Sequence, residues 1–294
     1  MSRQEIWVQT ENGLVREKVP AEGLLRLLYH NPVGGAPLLF LAKRKAVSRM
    51  YGAWCRSSLS GRKVARFIAE YGVDMTGCTG RYKTFADFFS REKSGVRFPD
   101  DPAAFGSPCE GMVLAYDAID PQRLVAAKGS YFSLAELFGS EKLAGAYAGG
   151  SMLAIRLTPA SYHRMHFFDD GRVRGSRQID GSLFSVSPLA VGRVARLYCQ
   201  NKRALTLFSS QNFGEVAIVE VGATFVGSIV HLFTKGSLVK RGGQASYFLP
   251  GGSLCLFFFK KGRLQPEPSI LGNTAAGYET KVQIGREIGR ASIR

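Results

Sequence analysis

The sequence is short of the residues that most often announce a site. It holds five cysteines and four histidines in 294 residues. The cysteines (Cys55, Cys78, Cys109, Cys199 and Cys255) are odd in number, scattered and never paired as CxxC. That pattern excludes a disulfide framework and signals no zinc site. Long apolar runs are missing too. LLFLA at 38–42 and LCLFFF at 254–259 fall far short of the roughly 20 residues needed to cross a bilayer. MSRQEIWVQTENG at the N-terminus lacks the apolar stretch of a secretory signal, so a cytosolic chain with reduced thiols is expected. P-loop, GxGxxG and GxSxG patterns are absent. Acidic residues are scarce: 23 Asp and Glu against 39 Lys and Arg leave a net charge of +16. With 45% hydrophobic and 21% charged residues, the balance is globular, and the length allows one large domain or two ordinary ones.

The positive surplus is concentrated. Between residues 36 and 69 stand Lys43, Arg44, Lys45, Arg49, Arg56, Arg62, Lys63 and Arg66, with no Asp or Glu. Leu38, Leu39, Phe40, Met50, Tyr51, Trp54 and Phe67 are interleaved with them. Such basic amphipathic texture suits a surface of anionic lipid headgroups. The plainer alternative is a helical layer with a solvated basic face. Nucleic acid is the weaker partner, because no recognised binding module accompanies the charge.

Residues 6–8 and 14–19 read as short strands flanking a turn at Glu11-Asn12-Gly13, and EGLLRLLYHN as a helix with Leu24, Leu27 and Leu28 on one face. In TFADFFSR (84–91) a Thr cap precedes Phe85, Phe88 and Phe89 on a shared face. After Asp100-Asp101-Pro102 the texture changes to short β-branched or alternating runs, with SLAELFGSEKLAGAYA (133–148) the one clear helix among them. The expected fold is α+β: a basic helical N-terminal layer (1–75) packed on a mainly antiparallel β-rich domain (76–294).

Three places could carry chemistry. His163 and His166 lie close together in SYHRMHFF, although their spacing serves one face of a helix or opposite faces of a strand equally. A metal site there is weak, since no Cys or carboxylate sits at ligand spacing. Glu110 in SPCEGMV precedes a strand, where Glu-Gly is ordinarily only a turn. In FLPGGSLCLFFF, Gly251 and Gly252 free the backbone just before Ser253 opens a strongly apolar strand.

In this order, the segments resemble the pyruvoyl-dependent phosphatidylserine decarboxylase family over most of the chain. TFADFFSR with VRFPDD, SPCEG, AAKGSYFSLAELFG, LTPASYHRMH with IDGSLFSVSPLA, FGEVAIVEVGATFVGSI, YFLPGGSL and ETKVQIGREIG carry the resemblance. It implies a proenzyme that cuts itself between Gly252 and Ser253, giving chains 1–252 and 253–294 that stay together as a heterodimer. Glu110, His166 and Ser253 would form the family's carboxylate–His–Ser triad, with Ser253 becoming a covalent pyruvoyl group. No pyridoxal phosphate and no metal would be needed. His163 would return, or help return, the proton after CO₂ leaves. The substrate would be phosphatidylserine in an anionic membrane, with the enzyme peripheral on the cytoplasmic side of the cell membrane and a homo-oligomer left open. The chain departs from the family pattern in carrying Glu110 where Asp is usual, Leu254 where Thr follows the cleavage Ser, and Gln244 at an acidic position. A pyruvoyl decarboxylase of a soluble amino acid and a slow or inactive lipid-binding homologue are the alternatives.

Overall fold

The computed structural model describes residues 5–31, 45–127, 130–223, 229–251 and 253–292. Gly252 and the segment holding Leu38, Leu39, Phe40, Lys43 and Arg44 lie outside them. Among the described residues, eighteen strands run in chain order as β1 (Trp7–Thr10), β2 (Gly13–Arg16), β3 (Ala104–Gly106), β4 (Gly111–Tyr116), β5 (Leu124–Ala127), β6 (Ser130–Phe132), β7 (Ser151–Leu157), β8 (Arg164–His166) and β9 (Gly171–Ile179). They continue as β10 (Arg203–Ser210), β11 (Gly214–Gly222), β12 (Ile229–His231), β13 (Leu238–Val239), β14 (Gln244–Phe248), β15 (Ser253–Phe259), β16 (Leu264–Pro266), β17 (Glu279–Val282) and β18 (Glu287–Ala291). The protein is α+β. Ten of the strands make one sheet in the order β13-β9-β10-β11-β15-β7-β4-β17-β1-β2. Its pairs are antiparallel except β1 with β17.

Strand β15 explains why the sheet needs two covered faces. Its sequence, SLCLFFF, is buried throughout, as a continuous apolar run requires. Leu254, Leu256 and Phe258 pack into the cluster beneath one face, with Leu134, Leu137 and Phe138. Cys255, Phe257 and Phe259 enter the cluster on the other face, with Phe105, Phe168 and Phe213. Each fully buried Phe contributes on the order of 1.5–3 kcal/mol. The second face is roofed by a three-stranded sheet, β12-β14-β8, and this roof carries both YHRMH and the strand leading to Gly251.

The expected hairpin near the N-terminus is β1–β2, and EGLLRLLYHN forms the helix Glu22–His30. The helix Phe85–Phe89 begins with a capping box in which Thr84 and Asp87 bond each other's backbone N–H. Residues 133–148 are not one helix. Gly139, at φ +65°, ends Leu134–Phe138, and Ser140 caps a second helix, Glu141–Gly145. Nor are these alone in the β-rich part: short helices also form at Pro188–Val191, Leu197–Gln200 and Pro268–Ala275. Two of those start with Pro in the first turn, where its missing N–H costs nothing, a signal hidden among turn-like residues.

Candidate active site

Ser253 stands at the head of β15, in the middle of the large sheet. Its backbone is registered to Gly222 on one side and Leu157 on the other. The residue is fully buried, and its Oγ has no hydrogen-bond partner among the described residues. An orphaned buried hydroxyl is uncommon enough to need a reason. The chain reaches it from β14 through Leu249, Pro250 and Gly251; Gly251 has φ +146°, a conformation essentially closed to residues with a Cβ.

His163 faces the same turn. It is completely buried, with its ring 3.8 Å from that of Phe89. Nδ1 lies 2.9 Å from the Ser161 carbonyl. A carbonyl can only accept, so the neutral ring carries its proton on Nδ1 and keeps a lone pair on Nε2. That Nε2 makes no hydrogen bond of good geometry with the described residues, although the Gly251 backbone lies near enough to favour the charged form slightly. Burial, reinforced by the Arg91 guanidinium, overwhelms that effect and pushes the imidazole down to about 3. His163 is therefore a neutral base whose Nε2 lone pair is unshared among the described residues, at the turn before Ser253.

His166 is held differently. Nδ1 donates to the Gly242 carbonyl at 2.8 Å, and the Tyr162 hydroxyl lies 3.1 Å from Nε2. Burial pushes the Tyr162 phenol up to about 12, so it keeps its proton and donates to the ring. Burial, with Arg164 nearby, also holds His166 below its ordinary range, and the Gly242 carbonyl offsets part of that. The segment is a strand, not a helix, and its pairing with β14 is irregular between Gln244 and Ser246.

Glu110 comes from the turn before β4. Oε1 accepts the Tyr162 backbone N–H at 3.3 Å, and Oε2 lies 3.8 Å from Lys93 Nζ. Burial raises its carboxyl, while Lys93, Arg91 and the Tyr162 N–H pull it back. No hydrogen bond among the described residues joins Glu110 to His166 directly. Tyr162 stands between them, its N–H on the carboxylate and its hydroxyl on the imidazole. The sequence did not single out Tyr162, nor Arg91, whose buried guanidinium donates to the carbonyls of Ala160 and Ser161. Both lie inside quoted motifs, but neither residue type by itself signals positioning.

A cavity of about 470 Å³ leads to this turn, with Gly251 in its wall. Leu24, Leu28, Trp54, Phe67 and Phe89 give it an apolar lining, with Lys63 and Arg66 among its other walls. Beside it Arg156, buried between Glu17 and Glu279, ties the N-terminal arm to β7 and β17. Among the described residues there is no cluster of three His, Cys, Asp or Glu able to hold a metal ion, and no helix long and apolar enough to cross a membrane.

Comparison with known proteins agrees with this geometry. Residues 85–290 match the model of the phosphatidylserine decarboxylase family. A phosphatidylserine decarboxylase proenzyme of Clostridium novyi is 39% identical over 278 residues, covering 93% of this chain and 94% of that one. Proenzymes of the same description from Ruminiclostridium cellulolyticum and Desulfitobacterium hafniense are each 38% identical, over 93% of both chains. With the matched region spanning every candidate residue from Glu110 to Ser253, the chain belongs to the phosphatidylserine decarboxylase family.

Proposed function

We propose that this protein is a phosphatidylserine decarboxylase that matures by cutting itself between Gly252 and Ser253. The observation that carries the reading is the orphaned, buried Ser253 Oγ behind a turn whose Gly251 is held at φ +146°. A hydroxyl with no competing partner among the described residues is free to attack the Gly252 carbonyl, converting that amide into an ester with a free amine on residue 253. Loss of the residue-253 α-proton then expels the Gly252 carboxylate, and hydrolysis of the remaining enamine releases ammonia and leaves a pyruvoyl cap on 254–294. That group supplies the carbonyl through which electrons from the departing CO₂ are held, without pyridoxal phosphate or a metal.

The chain's own residues divide the proton work. His166 takes the Ser253 hydroxyl proton, with Glu110 orienting it through Tyr162; the Tyr162 hydroxyl must first release Nε2. A proton must return to the α-carbon once CO₂ has left, and His163, beside Gly251, donates it or positions its donor. The apolar cavity takes the lipid's acyl portion, and Lys63 and Arg66 in its wall suit the phosphate. The basic N-terminal region, 1–75, associates with an anionic membrane surface, the cytoplasmic face in the cellular setting.

Intact mass of the purified chain tests the core of this reading. Two species are expected, of 252 residues and of 294 − 252 = 42 residues, the smaller blocked at its N-terminus, together with CO₂ release from phosphatidylserine vesicles. A single full-length mass after prolonged incubation at neutral pH would leave a lipid-binding homologue as the better account. Release of CO₂ from a free amino acid but not from the phospholipid would move the substrate to the soluble class.

A further inference from the structure

Outside the residues discussed so far, one buried charge has an unexplained place. Glu220 lies on β11, directly opposite Cys255 of β15 and two residues before Gly222, the partner of Ser253. It is fully buried. A carboxylate in such surroundings is costly unless paired and hydrogen-bonded. Both its oxygens are engaged, each by a different strand of the roof. Ser246 Oγ on β14 donates to Oε1, and His231 Nε2 on β12 lies 2.6 Å from Oε2. The His231 ring stacks on Phe233 with centroids 4.5 Å apart, and its Nδ1 lies 3.4 Å from Ser176 Oγ.

The two ends of the cleavage turn are thereby referred to one strand. Where the turn finishes, β15 is fixed to β11 by backbone pairing through Gly222 and Ser253. Where it begins, β14 belongs to the roof and has no place beside β11 in either sheet. The side-chain bond from Ser246 to Glu220 ties it to β11, only two residues from Ser246 to the end of β14 at Phe248. Four residues, 249–252, must then bridge two anchors set by neighbouring positions of β11. A turn so short transmits any shift of β14 to the Gly252 carbonyl, and a displacement of 1 Å can lower a rate about 10²-fold.

We propose that Glu220 is a positioning residue for self-cleavage, holding β14 against β11 so that the Gly252 carbonyl is presented to Ser253. It touches no reacting atom. The inference rests on the self-cleavage reading above.

Four variants test it, with cleavage time courses by mass and melting temperatures measured in a Ser253→Ala background. Glu220→Ala and Ser246→Ala should slow cleavage by at least about tenfold. Glu220→Gln should return it to within about threefold of native, because an amide can still accept from Ser246 and donate to His231 after a change of imidazole tautomer. His231→Phe should keep the stack on Phe233, break only the arm to β12, and cleave within about threefold of native even if it melts lower. A purely structural role predicts rates that track melting temperature across all four. Such tracking, native-rate cleavage by Ser246→Ala, or failure of Glu220→Gln to restore the rate would each overturn the proposal. A native chain that never cleaves would instead remove the reading on which it rests.

Discussion

The N-terminal layer, whose strands β1 and β2 extend the large sheet, exposes its apolar residues far more than the β-rich body does. Among the described residues, ten large apolar side chains are notably exposed, and seven of them fall between residues 7 and 59: Trp7, Leu14, Val15, Leu24, Leu27, Met50 and Leu59. The body, several times longer, leaves out only Tyr131, Leu232 and Leu238. Arg49, Arg56, Arg62, Lys63 and Arg66 are exposed on the same layer. The body is organised for water around it and a dry centre within. Phe67 of the layer packs against Phe85 and Phe88 beyond it, yet the layer leaves a mixed apolar and basic surface exposed. That contrast is what the proposed membrane-facing role of residues 1–75 requires.

Single residues in the body should produce the largest effects. Ser253→Ala and His166→Ala are each expected to remain full-length in a gel time course that takes the native chain to completion. His163→Ala should cleave but lose decarboxylation by roughly 10² or more, the usual contribution of a positioned acid–base group. Blocked processing in His163→Ala, with normal processing in His166→Ala, would exchange the two roles, and the unshared lone pair on His163 makes this the sharper half of the test.

A graded effect is expected of the layer. The triple variant Leu24→Ser, Leu27→Ser, Met50→Ser should bind phosphatidylserine-containing vesicles roughly tenfold or more weakly in a sedimentation assay. Raising the salt should weaken native binding further, because exposed charges separated by about 10 Å are screened at 0.1 M. The matching pair on the body, Leu232→Ser with Leu238→Ser, should bind as the native chain does. Equal losses from both sets would erase the contrast between the regions.

The smallest effect concerns pH and belongs to the buried imidazole. His163 has a folded value of about 3 against an unfolded value of about 6.5. Between these the unfolded chain binds more protons than the folded one, so stability falls as pH drops from about 6.5 toward 3. In a Ser253→Ala background, His163→Phe should flatten the decline of melting temperature over that window. An unchanged slope would mean that His163 is not buried as a neutral group.

Strand β15, the helix at Phe85–Phe89 and the hairpin at β1–β2 were legible because their signals are local: an unbroken apolar run, a Thr cap, an Asn-Gly turn. Residues 133–148 were misread as one helix because Gly139 sits inside an otherwise helical pattern, and only the observed left-handed φ shows that the chain turns there. The pair at 163 and 166 was visible as chemistry but not as geometry. A spacing of three fits a helix or a strand, and tertiary contacts with Phe89, Tyr162 and Gly242 decide what each ring does. Tyr162 and Glu220 were invisible for a related reason: a residue that aligns another declares itself only when its neighbours, distant in sequence, are in place.

The position of β15 sets a direction in time. If the bond before Ser253 is cut, the smaller chain supplies a strand between β11 and β7 as well as β17, which pairs with β4 and β1. Neither piece can keep its central sheet alone. The uncut chain folds as one molecule, with β14 and β15 covalently joined; the cut pair, once denatured, must find each other by diffusion and reinsert a middle strand. The proposed self-cleavage would thus consume the covalent link that guided assembly, and the cut molecule should persist by the slowness of its unfolding, with recovery after denaturation that depends on concentration and falls well below that of the Ser253→Ala chain.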